Sequence, residues 1–153
     1  MRVCIHRGSK QIGGSCVEIE NDGQRLLVDF GLPLDAEGES AKYLPQIEGL
    51  NGNDESLLGI LISHPHLDHF GLLQHVSPKI QIGMGAAAKK ILEAAAPFIP
   101  NKKAISLNGW DFKSNETIKI GGFSVTPYLV DHSAYDSYAF RIESGGKSLF
   151  YSG

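Results

Sequence analysis

Residues 62–71 read ISHPHLDHFG, which places three histidines and an aspartate within the six positions 64 to 69. The whole chain has six histidines, so half of them stand in this one stretch. Imidazole and carboxylate together form a metal-ligand set. Zinc is the default where histidine dominates, with manganese or iron as the alternatives. On an extended backbone, residues i and i+2 share a face, so His64 and His66 can grip one ion. Asp68 and His69 are adjacent and cannot share that direction in regular structure, and a turn into a helix near Leu67 sends them elsewhere. The spacing therefore suits two neighbouring metal sites better than one. A solvated polar loop is the plain alternative. Four ligand-type residues in six positions, directly after the continuous apolar run LLGILIS (57–63), argue against it.

A catalytic zinc usually takes three protein ligands and leaves a position for water. The stretch YLVDHSAYDS (128–137) offers His132 at the end of an apolar strand and beside Asp131. A surface histidine is the competing reading there, and a third ligand is the expectation once the cluster is accepted. Asp29 closes the apolar strand QRLLVDFG (24–31). It either caps the strand end or orients a metal-bound histidine, and the second role is expected. His6 and His75 are expected to play no part in metal binding.

Around these residues the pattern is one of short strands and few helices. RVCIHR (2–7), SCVEIE (15–20) and QRLLVDFG (24–31) predict an opening three-stranded meander, with NDG (21–23) as a hairpin turn. The glycine-rich loop GSKQIGG (8–14) could bring backbone close to a ligand, but a plain turn is expected. Residues 31–56 read as irregular. The buried strand 57–63 leads into the histidine cluster, and a short helix is expected over 67–76. A strand follows at 79–84, then a strong helix over 85–99, ended by Pro97. Two hairpins complete the chain: 116–120 with 123–130 around GG, and 138–143 with 147–152 around SGG. This order predicts a mixed α/β layer architecture, sheets inside and helices outside.

Composition bounds the rest. At 153 residues, with 42% hydrophobic and 20% charged positions, the chain supports one domain with a real core. No apolar run approaches the roughly 18 residues of a membrane helix. The start, MRVCIHRGSK, lacks the apolar region of a signal peptide. A cytoplasmic protein is expected, with Cys4 and Cys16 as reduced thiols. The net charge is −3 and there is no basic run. That disfavours a charge-driven nucleic-acid binder but not an enzyme that holds phosphate through metals.

SHPHLDH resembles the HxHxDH motif of the metallo-β-lactamase superfamily. LLVDFG resembles the strand-end aspartate motif that precedes it, and DHS the downstream histidine motif. HRGSKQIGGSCVEIE, VDFGLPLD and VDHSAYDSYAFRIE look like the RNA-processing branch, the ribonuclease J-like and β-CASP nucleases, which process nucleic acid with two zinc ions. The resemblance implies an αββα sandwich, two mixed sheets face to face with metals at one edge. It implies that His64, His66 and His132 hold a first Zn2+ and that Asp68 and His69 hold a second. Asp68 would also help orient the attacking hydroxide. The implied activity is a two-zinc phosphodiesterase acting on RNA. A small-molecule hydrolase acting on a lactone, thioester or lactam is the alternative. The family's bridging aspartate would follow FYSG, and its final histidine ligand and β-CASP insertion have no counterpart here. Residues 1–153 are therefore expected to be the N-terminal part of a longer domain. Such a part would be impaired or inactive alone and prone to self-association through exposed sheet.

Overall fold

The computed structural model describes residues 1–98 and 105–153. Among the described residues, ten strands and two α-helices follow one another: β1 (Arg2–Arg7), β2 (Cys16–Asn21), β3 (Gln24–Val28), β4 (Leu57–Leu61), α1 (Leu67–Phe70), β5 (Ile82–Gly85), α2 (Ala86–Ala95), β6 (Asp111–Phe112), β7 (Ile118–Ile120), β8 (Phe123–Leu129), β9 (Tyr138–Ser144) and β10 (Lys147–Tyr151). They form a six-stranded sheet in the order β1-β2-β3-β4-β5-β6 and a four-stranded sheet in the order β10-β9-β8-β7.

The opening meander is antiparallel, as its alternation predicts. Its second turn places Asp22 and Gly23 at φ +51° and +73°, the left-handed pair that a type I′ hairpin requires. From β3 onward the first sheet is parallel, through β4 and β5 to β6. The apolar run of β4 follows from this position, since a strand inside a covered parallel sheet is buried on both faces. β6 was not anticipated. It is two residues long, and its pairing of Met84 with Asp111 and Gly85 with Phe112 defines it rather than any periodicity of its own.

Two apolar clusters separate three layers. One lies between the first sheet and the helices and includes Leu27, Ile60, Ile62, Met84, Leu72 and Ala88. The other lies between the sheets and includes Ile19, Val28, Leu61, Phe112, Phe123 and Phe140. The helix expected over 67–76 is broken. A single α-helical turn, Leu67–Phe70, is followed by a 3-10 turn, Leu73–His75. α2 stops at Ala95 and passes into a 3-10 turn over Ala96–Phe98 that contains Pro97, whose ring nitrogen has no hydrogen to donate back to the helix. Position 99 of the expected helix lies outside the described residues. Both cysteines are free thiols, and burial pushes the Cys16 thiol far above its ordinary range, which leaves it inert.

Candidate metal centre

The parallel strands end at one edge of the first sheet, and the polar residues that follow them gather there, the usual place for sites in such sheets. β3 runs into Asp29, β4 into Ser63–His69, and the loop after β8 brings His132 across from the second sheet. His132 lies three residues beyond the end of its strand, further than the sequence suggests.

His64, His66 and His132 each offer a ring nitrogen, and these atoms lie within 4.8 Å of one another. The Nε2 atoms of His64 and His132 are 3.2 Å apart although 68 residues separate them in the chain. Two nitrogens on one tetrahedral zinc stand about 3.3 Å apart, so the pair fits a shared ion. Asp68 and His69 form a second group. The Asp68 Oδ2 to His69 Nε2 distance is 3.5 Å, also the spacing of two ligands on one small cation. The two groups are neighbours, with the His64 and His69 rings 3.9 Å apart between centroids. The donor set fits the metal chemistry expected from the sequence. His6 lies elsewhere, 3.4 Å from Glu18, and His75 meets Ser40 at 2.8 Å.

Asp29 anchors the arrangement. It is fully buried and sits at φ +59°, a left-handed conformation that few residues other than glycine tolerate and that aspartate tolerates better than most. Its Oδ1 accepts from the Ser63 amide at 2.8 Å. Its Oδ2 accepts from Ser63 Oγ at 2.9 Å, from His69 Nδ1 at 2.7 Å and from the Tyr151 hydroxyl at 2.6 Å. These partners assign the ring protons. His69 gives its Nδ1 proton to Asp29, so its Nε2 carries a free lone pair facing Asp68. Ser63 spends its one proton on Asp29, so its oxygen accepts from His64 Nδ1 at 3.0 Å. The His64 Nε2 is then free as well.

Electrostatics agree with this assignment at His64, whereas at His69 they favour an added proton on Nε2, which a bound cation would displace. Burial and the neighbouring imidazoles of His69, His132 and His66 push His64 down to about 4, so it is neutral near pH 7. At His69 burial acts in the same direction, but the hydrogen bond and charge of Asp29 and the charge of Asp68 outweigh it and raise its pKa. Burial, and then the Asp29 charge, push Tyr151 well above the ordinary phenol range, which keeps its hydroxyl a donor.

α1 is held in place by backbone. Phe30 and Leu32 donate to the carbonyls of His69 and Leu67 at 2.7 and 3.0 Å, and Ser15 donates to that of Asp68 at 3.0 Å. Gly31 lies so close that a Cβ there would collide with the Asp68 carbonyl. The glycine-rich loop is more than a plain turn. Gly13 bridges to Pro33, and a Cβ at position 13 would stand 3.0 Å from Asp68 Oδ2. The loop thus walls the Asp68 side of the centre. Ser63 and Tyr151 were not singled out from the sequence. Ser63 is visible there only as the residue before the cluster, and nothing local marks Tyr151.

Known proteins resemble this chain. An RNase J-like protein of Methanocaldococcus jannaschii is 38% identical over 69 residues, covering 45% of this chain and 14% of that protein. Ribonuclease J of Helicobacter pylori is 23% identical over 151 residues, covering 95% of this chain and 22% of its own length. The chain therefore spans less than a quarter of either relative. Among solved structures, a protein of unknown function from Enterococcus faecalis V583 superposes with a TM-score of 0.81 at 24% identity, over 99% of this chain and 42% of that one. YhfI of Bacillus subtilis, a metallo-beta-lactamase fold protein, gives 0.67 at 19% identity over 99% and 61%. At these identities the structures establish the fold alone. The characteristic pattern of one family extends over residues 10–153, through both sheets and every residue of the centre, and the chain belongs to the metallo-beta-lactamase superfamily.

Proposed function

We propose that this chain carries the metal centre of a two-metal phosphodiesterase that acts on RNA. His64, His66 and His132 would hold one divalent cation, and Asp68 and His69 a second. Zinc is the first choice by ligand type, with Mn2+ or Fe2+ as alternatives. The observation that carries this reading is the meeting of His64 and His132 at 3.2 Å from opposite sheets. Divalent cations held there would lower the pKa of a water molecule and neutralise charge on a phosphoryl oxygen.

The chain's own residues do the rest. Asp29 and Ser63 fix the ring orientations, leaving the Nε2 atoms of His64 and His69 bare. Asp68, at the half-buried wall beside Gly13, orients the attacking water through its carboxylate. The names of the ribonuclease J relatives support RNA as the substrate. Among the described residues, no helix is long and apolar enough to cross a membrane.

A second reading, hydrolysis of a lactone, thioester or lactam, is favoured by one observation. Leu34 and Leu67, 66% and 47% exposed, lie in the segments around Asp68, and exposed apolar surface beside the centre suits a small organic substrate. We also propose self-association through the edge strands. Val3 and Ile5 on β1 and Phe150 on β10 are exposed.

Elemental analysis after zinc repletion and desalting tests the centre. One or two zinc per chain are expected, with severe loss in the His64→Ala/His66→Ala variant. The loaded protein is then offered labelled single-stranded RNA beside a panel of lactones and thioesters. RNA cleavage supports the first reading. Intact RNA with ester hydrolysis transfers the function to the second.

A further inference from the structure

The first turn of α2 faces the same sheet edge as the histidines, and its amides are occupied from a distance. Asp136 Oδ2 accepts from the amides of Ala87 and Ala88 at 2.8 and 3.1 Å. This is the contact that an N-cap side chain makes, yet Asp136 lies 49 and 48 residues away in the chain. The helix's own N-cap, Gly85, has no side chain to offer.

Two features mark the contact as built into the fold. Asp136 sits at φ +64°, a left-handed conformation that costs strain unless the surroundings demand it. Gly85 leaves the room it needs, because a Cβ at position 85 would collide with the Asp136 carboxylate.

Asp136 belongs to the loop between β8 and β9, which also carries His132. His132 is exposed, and β8 has already ended at Leu129. The base of the loop is closed by Val130 N donating to Ser137 O at 3.0 Å, and Tyr138 N donates to Ser63 O at 2.8 Å. Asp136 adds a tie to the helix layer on the far side of the first sheet. Together these contacts set how far the loop reaches over the centre.

We propose that Asp136 is a positioning residue for His132. By closing on the N-terminus of α2, it holds the loop where His132 meets His64 and His66. The proposal rests on the three-histidine cation site described above.

The test is Zn2+ affinity, measured by competition with a chromophoric chelator, on the full chain. Asp136→Ala should weaken the three-histidine site about ten-fold or more, the usual effect of losing a residue that supports a ligand. Asp136→Asn, which keeps an acceptor oxygen, should recover most of the loss. Gly85→Ala should reproduce it with Asp136 untouched. In a His132→Ala background, Asp136→Ala should cost nothing further, because the ligand it positions is gone. An equal loss in that background would mean general loosening and would overturn the proposal, as would wild-type affinity in Asp136→Ala. If Gly85→Ala fails to fold, the Asp136–His132 cycle decides alone. A wild-type chain that binds no zinc would sink the metal-site reading and this proposal with it. A wild-type chain that binds zinc while the variants match it would sink this proposal alone.

Discussion

Four hydrogen bonds converge on the Asp29 carboxylate, and Tyr151 supplies the shortest, at 2.6 Å. Replacing Tyr151 with Phe removes that donor and leaves the rest of the ring in place. We expect a loss of about 1.5–3 kcal/mol, the worth of one hydrogen bond to a charged acceptor, read as a lower urea midpoint. Zinc affinity at Asp68 and His69 should fall as well, by about 10- to 100-fold, because Asp29 orients His69. Unchanged affinity would mean that Ser63 and the fold hold His69 without help. At this scale the ligand types were legible and their supports were not. The cluster 64–69 declares itself through residue type and spacing. Ser63 meets Asp29 across 34 residues, and Tyr151 meets it across 122. No local pattern encodes a partner so far away, and a serine or tyrosine near a strand reads as ordinary packing.

Among the elements, α1 depends on a contact that admits no side chain. Its single turn is stitched to residues 30–32, and the Asp68 carbonyl fills the space above Gly31. Gly31→Ala must push α1 away or twist the segment after Asp29. We expect destabilisation of about 3 kcal/mol, the upper end of overpacking costs, together with weaker zinc binding. Thermal melting followed by circular dichroism checks the first effect, and co-melting with wild type would show that α1 yields freely. The hairpins and the β4 run were legible because turn chemistry and apolar pattern are local signals. β6 was hidden because two residues carry no period and only pairing with β5 makes them a strand. The helix expected over 67–76 was too long because the pull of the residues 30–32 on its first turn is a tertiary effect.

For the whole molecule, the centre joins two sheets that meet mainly through apolar side chains, with Tyr151 on Asp29 and Tyr138 on Ser63 among the polar ties. His132 comes from the second sheet, His64 and His66 from the first. A cation bound to all three should stabilise the native state and not the unfolded chain. At zinc concentrations one hundred times Kd, the expected gain is about 2.7 kcal/mol in urea unfolding, abolished by chelator and reduced in His132→Ala. Equal midpoints with and without zinc would show that the sheets hold without the ion. The separation of the ligands also orders events in time. His64 and His66 are two positions apart and can catch an ion in a collapsing chain, whereas His132 arrives only after a loop of 68 residues has closed. Long-range closure of this kind is the slow part of folding for sheet-rich topologies. Tight capture of zinc is therefore a clock for the docking of the second sheet, and a stopped-flow zinc indicator would time that step during refolding.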